Sequence, residues 1–412
     1  MSSVLILEPG HGAHNATYLR WIVEGFLNAK VDVRLATLEE SVQSDVRMQS
    51  LLYDLGGEID LALMGHGISP GLRSSDLGVW SVARREIQYY RLLRAMYQSS
   101  RQREDEPVFV PYLDYCAHVI GMRGSPFGSA PWSGIVMRQA FHHEAMGVSA
   151  PKVGWAGLKK TLFERLLGTA HLKALFSIDE TLVEYYKCRD EFGRPGVTFL
   201  PEPGEIEGKT TRQEARAQLG IPESAHVVLV YGELRRRKGL DALLDAAACP
   251  GFPENTHILL AGPQLRETRA LLVKPTALEL RRSGRLHEDD RILAGEEEYR
   301  AFVASDAVWL GYRGHYGMSA VLIQAAKMKL PVIACRDGLL GHHTRNAELG
   351  ITVDIDSPST VARRLAALSS DSSRAQKQGE NGATFFADRN VARFSEVICR
   401  ELFEVEADNL TV

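Results

Sequence analysis

Residues 312–338 read YRGHYGMSAVLIQAAKMKLPVIACRDG, a glycine-bearing loop, a helix and a short apolar strand in sequence. Ser319 is a residue type favoured at a helix N-cap, and Val321, Leu322, Ala325, Ala326 and Met328 then fall on one helical face. The run PVIAC is too short and too apolar for anything but a buried strand. A loop that delivers a helix N-terminus leaves backbone N–H groups without partners, beside a partial positive charge. That combination receives phosphates and other anions.

Working outward, short apolar runs recur between helical stretches. They begin at Val4, Val31, Ile59, Val108, Ser133, Ala174 and Val197, with helical spacing between several of them, as over 14–28 and 180–192. Unbroken apolar strands alternating with helices specify an α/β protein with parallel sheets covered on both faces. Turn-forming residues and charge then cluster in PEPGEIEGKT. Past it the pattern restarts with HVVLVYG, HILLAGP, AVWLGY, PVIAC and ITVDID. The expected division is one domain over 1–203, a second over 204–390, and an amphipathic helical segment over 391–412. In two doubly wound domains ligands bind at the carboxyl edges of the sheets.

Composition narrows the function. The chain has 412 residues, 45% of them hydrophobic and 24% charged, with a net charge of -4. That length suits two cores, and mild acidity argues against a nucleic-acid partner. Five scattered cysteines without a C-x-x-C pair fit buried thiols in a reducing compartment. No basic region precedes the opening strand and no apolar run is of membrane-spanning length, so a cytoplasmic protein is expected.

Two further loops carry chemistry. EPGHGAHN follows the first strand, and Gly10, His11 and Gly12 form a G-x-G-x-x-N pattern one residue short of the dinucleotide fingerprint. A tight turn between strand and helix accounts for it equally well. A nicotinamide enzyme would also use an acid near Glu39 or Glu40 for the ribose. YGELRRRKGLDALLDA places Arg235–Lys238 just past the first strand of the second domain. Arg235 and Lys238 are read as phosphate ligands, and Arg236 and Arg237 as solvated charge.

In order, TRQEARAQLGIPESAHVVLVYGELRRRKGLDALLDA, HILLAGP, YRAFVASDAVWLGY and YGMSAVLIQAAKMKLPVIACRDGLLG resemble the nucleotide-sugar domain of GT-B glycosyltransferases of the retaining family 4. HLKALFSIDETLVEYY with VTFLPEPGE resembles that family's approach to the second domain. The resemblance covers about 170–360. It implies two Rossmann-like domains facing across a cleft, with the last helix crossing back to the first. It also implies transfer of a sugar from a nucleotide-diphosphate sugar to a hydroxyl, with retention. The acceptor would be a glycan, a lipid-linked molecule or a small molecule, and no metal or cofactor would be required.

On that resemblance Arg235, Lys238 and His142 form the catalytic set. His315, Tyr316, Gly317, Met318, Ser319 and Gln324 hold the donor, while Gly10, His11, Gly12 and Arg138 serve the acceptor. The chain departs from the family at named positions. Tyr316 and Gln324 stand where glutamates are usual, Glu233 where an arginine is frequent, and Met137-Arg138 where a histidine follows a first-domain strand. A GT-B protein that binds a glycan or nucleotide without turnover is the alternative. Asp354 and Asp356 are read as helix capping before Ser357-Pro358, and His342 and His343 as a helix-start feature. The basic amphipathic stretch over 151–168 would suit an anionic membrane surface, an ordinary domain helix being the commoner account.

Overall fold

The computed structural model describes residues 2–10, 13–65, 79–100, 103, 105–151, 154–187 and 196–403, with the backbone alone at 13, 14 and 79–81. These residues form two compact units. The first comprises the described residues of 1–146, 152–202 and 391–412, and the second those of 147–151 and 203–390.

The first unit carries seven strands: β1 Ser3–Glu8, β2 Asp32–Leu38, β3 Asp60–Met64, β4 Val108–Val110, β5 Trp132–Val136, β6 Leu172–Ser177 and β7 Val197–Phe199. Their order is β3-β2-β1-β4-β5-β6-β7, and every neighbouring pair is parallel. The second unit holds β8 His226–Tyr231, β9 Thr256–Ala261, β10 Leu286–Asp289, β11 Ala307–Leu310, β12 Val332–Cys335 and β13 Gly350–Val353. Its order is β10-β9-β8-β11-β12-β13, again wholly parallel. Each sheet therefore reverses direction of growth once, at β1/β4 and at β8/β11. Those are the topological switch points where a doubly wound sheet opens a crevice.

The strands are apolar because both of their faces are covered. All six residues of β9 are buried, as are the four of β11 and of β12. β10 went unseen in the sequence for the complementary reason. It is an edge strand, LHED, in which only Leu286 is buried.

Helix Val391–Phe403 belongs to the first unit. It buries Phe394, Val397, Ile398, Cys399 and Leu402 on helix Ala13–Asn28. Gly25 makes the approach possible, since a Cβ there would stand 2.4 Å from that of Ser395. Helix Ala156–Leu167 buries Leu162, Phe163, Leu166 and Leu167 but leaves Trp155 and Leu158 exposed, so the apolar residues of 151–168 do not form one face. Among the described residues, no helix is long and apolar enough to cross a membrane.

Candidate functional site

At the β8/β11 switch point two loops meet. Past β8 the chain makes a single 3-10 turn over Arg236–Lys238 and enters helix Leu240–Ala247. Leu234 pins the loop: it is buried, its N–H donates to the Pro263 carbonyl, and its own carbonyl accepts from Leu265 N and Thr268 Oγ1. The turn carries the Lys238 amine back over the end of β8. Nζ donates to the Tyr312 hydroxyl at 2.8 Å and lies 4.5 Å from that ring's centroid. Lys238 is only 5% exposed, and no carboxylate pairs with it among the described residues.

Gly239 closes the turn with φ 65°, and a Cβ at this position would sit 1.8 Å from the Gly311 carbonyl oxygen. Only glycine lets the two loops touch there. Trp309 Nε1 completes the junction by donating to the Lys238 carbonyl at 3.0 Å.

The second loop runs from Gly311 to Ser319. Arg313 N donates to the Arg237 carbonyl, and its guanidinium is held by Asp241 and Asp356. Arg237 lies over the Tyr312 ring, 5.8 Å from its centroid, with one terminal nitrogen 3.3 Å from His315 Nδ1. His315 Nε2 is 2.9 Å from the Met318 carbonyl, which can only accept. Nε2 therefore carries the proton, and Nδ1 accepts from Arg237. The N–H groups of Gly317, Met318, Ser319 and Ala320 donate to nothing among the described residues, at the start of helix Ala320–Lys327. Ser319 occupies the N-cap, as expected, though its hydroxyl makes no capping bond. The orphan donors of that first turn are left for a ligand.

Gln324, one turn on, is 9% exposed and donates through Nε2 to Glu298 Oε1 at 2.7 Å. The Tyr231 hydroxyl donates to the same oxygen at 2.6 Å.

Residues 211–385 match the family model described as glycosyl transferases group 1. The matched stretch lies within the second unit and covers less than half of the chain. The D-inositol 3-phosphate glycosyltransferase of Corynebacterium kroppenstedtii is 32% identical over 182 residues, 43% of this chain and 40% of the relative. The lipopolysaccharide core biosynthesis glycosyltransferase LpsE of Rhizobium meliloti is 29% identical over 167 residues, 40% of this chain and 46% of the relative. The chain thus spans less than half the length of either. Sucrose-phosphate synthase from Thermosynechococcus elongatus superposes on 98% of this chain and 100% of its own with a TM-score of 0.64 at 17% identity. Anabaena HepE in complex with UDP does so over 98% and 100% with 0.66 at 14%. Those likenesses show the fold, which is GT-B: α/β, with two Rossmann-like domains.

In the basic loop Arg235 and Arg237 are both exposed; Arg235 pairs with Glu233, while Arg237 lies over Tyr312 and beside His315 of the second loop. A 3-10 turn rotates successive side chains by a third of a turn, which the sequence alone does not display. Asp354 and Asp356 are corrected too: they pair with Arg336 and Arg313, and helix Pro358–Ser370 has no side-chain cap. His342 and His343 lie inside helix Gly338–Asn346, not at its start. Glu298 was missed, because a carboxylate in the acidic run GEEEY carries no local signal.

In the first unit, Gly10 N donates to Glu8 Oε1 at 2.7 Å, which folds the loop after β1 back on its strand. His11 and Gly12 lie outside the described residues. Asp114, after β4, accepts from Met137 N and Arg138 N at 2.7 and 2.9 Å and so fixes the end of β5. Beside it is a hollow of about 150 Å³ lined by Asp114, Tyr115, His118, Arg138, Gln139 and Lys159 among others. Arg138 is exposed there, its guanidinium 5.5 Å from the Tyr115 ring centroid. His142, assigned to the catalytic set, is fully buried instead, with Nε2 bonded to Asp179 and Thr181.

Proposed function

We propose that this protein transfers a sugar from a nucleotide-diphosphate sugar to an acceptor hydroxyl, with retention of anomeric configuration. The observation that carries the reading is Lys238. A buried ammonium without a carboxylate partner is costly, and an anionic ligand at the β8/β11 edge would satisfy it. Lys238 and Arg237 would grip the diphosphate, the N–H groups of Gly317–Ala320 would donate to the same oxygens, and Gln324 with Glu298 would meet the ribose hydroxyls. His315 and Tyr316 line that loop. No metal is required for this: two cations and four N–H groups can take up the charge that develops on the departing diphosphate. The hollow beside Arg138 would hold the acceptor, be it a glycan, a lipid-linked molecule or a small molecule. UDP, which is bound to Anabaena HepE, is the first nucleotide to try.

A thermal-shift panel of nucleoside diphosphates and sugar nucleotides tests the reading. Stabilisation by one of them, abolished in Lys238→Ala, is expected; a response to NAD alone would overturn it. Tyr316 and Gln324 in place of glutamates favour a second reading, a binding protein without turnover. Slow hydrolysis of the stabilising sugar nucleotide would exclude that reading.

A further inference from the structure

Two consecutive histidines and an aspartate meet in the core of the first unit. His142 and His143 lie in the turn that follows β5, and Asp179 opens helix Glu180–Lys187 after β6. They are 0%, 3% and 2% exposed. Oδ1 of Asp179 is fully engaged, accepting from Thr181 N at 2.9 Å, Thr181 Oγ1 at 2.7 Å and Leu182 N at 3.3 Å. The carboxylate is thereby held with Oδ2 turned to the histidines. His142 Nε2 is 3.1 Å from Oδ2 and His143 Nε2 is 3.6 Å from it. The second distance is too long for a hydrogen bond. Among the described residues His143 has no hydrogen-bond partner on either ring nitrogen, and His142 has none on Nδ1.

A packed histidine pair with a neighbouring aspartate would normally satisfy more of these atoms. One oxygen and two imidazole nitrogens, all within 4.8 Å of one another, form a ligand set. With metal–ligand bonds of about 2.0–2.2 Å, the edge of a tetrahedral site is roughly 3.3–3.6 Å. The two observed separations, 3.1 and 3.6 Å, bracket that edge. Thr181 Oγ1 donates to the unused carboxylate oxygen, as the outer partners of metal ligands do, and also stands 3.0 Å from His142 Nε2. The rings of Phe141 and Tyr185 stand 5.6 and 6.0 Å from that of His142 and wall the cluster.

We propose that His142, His143 and Asp179 form a structural binding site for a divalent transition metal, zinc being the ion that two imidazoles and one carboxylate suit. A hard cation such as magnesium would require more oxygen ligands. The ion joins the turn after β5 to the helix after β6. It also supplies the partner that His143 Nε2 lacks.

The test is metal binding by the whole chain, stripped with a chelator and titrated with CoCl2 and then ZnCl2. One equivalent of Co2+ with visible ligand-field bands of a tetrahedral site is expected, displaced by Zn2+, and Zn2+ raises the melting temperature. His143→Asn, which keeps much of the volume, abolishes the bands. Thr181→Val, which leaves the ligands in place, weakens zinc binding by about 10–100-fold. Absence of bands and of a thermal shift in the unsubstituted chain overturns the proposal. So does binding that His143→Asn leaves undiminished, since the ion would then sit elsewhere.

Discussion

Glu8 ties stability to pH, and its substitution by glutamine isolates the effect. The carboxyl lies at the end of β1 with no exposed surface, accepting through Oε1 from Gly10 N at 2.7 Å and Asn15 Nδ2 at 3.2 Å. Oε2 has no hydrogen-bond partner among the described residues. Burial pushes the carboxyl up from 4.5 to about 7, the two hydrogen bonds offsetting only part of the rise. Below pH 4.5 both the folded and the unfolded chain hold the proton, and the contribution is fully present. As pH rises to about 7 the unfolded chain releases its proton first, and folded stability falls.

The gap of about 2.5 pH units, at about 1.36 kcal/mol each, amounts to about 3 kcal/mol, or a factor of roughly 300 in the opening equilibrium. Glu8→Gln keeps the acceptor oxygen and removes the titration. Because two units need not unfold together, the readout is hydrogen exchange in peptides from β1 and β4. The ratio of exchange rates between Glu8→Gln and the parent should change by about 300-fold between pH 4 and pH 8, the parent losing protection as pH rises. Intrinsic exchange and all other titrations cancel in that ratio. A ratio that is the same at both pH values would refute the reasoning.

Three other outcomes are expected. Arg237→Ala should weaken nucleoside-diphosphate binding, by about 1.5–3 kcal/mol for a charged hydrogen bond, whereas Arg235→Ala should leave it nearly unchanged; titration calorimetry distinguishes them. Gly239→Ala should destabilise the second unit by about 2–4 kcal/mol, from a left-handed alanine plus overpacking against Gly311, with loss of exchange protection in β8 and β11. Arg216, 1% exposed, donates to the carbonyls of Ala304, Pro222 and Glu223 and to Asp306. Arg216→Met strands those acceptors, and about 3–5 kcal/mol of second-unit stability should go with it, read from the urea dependence of exchange in β8.

The fold class was legible because it rests on short-range patterns. Apolar runs mark strands covered on both faces, and the helical spacing between them leaves parallel crossovers as the economical connection. The helix after Ser319 and the strand at Val332–Cys335 emerge where the opening stretch places them. β10 escaped because an edge strand needs only one apolar residue.

The site was legible as a place and not as a set of side chains. Position past β8 marked the basic loop, but which cation faces the second loop depends on the phase of one 3-10 turn and on the aromatic ring of Tyr312. The same holds for Gln324, whose neighbour Glu298 comes from a helix 26 residues earlier. His142 was assigned to the catalytic set by its place after β5, and long-range packing against Asp179 buried it. Local sequence determined the elements and the edge at which they present a ligand site, because periodicity and capping act over a few residues. The tertiary structure alone decided which charges meet, because contacts between distant segments leave no periodic trace in either.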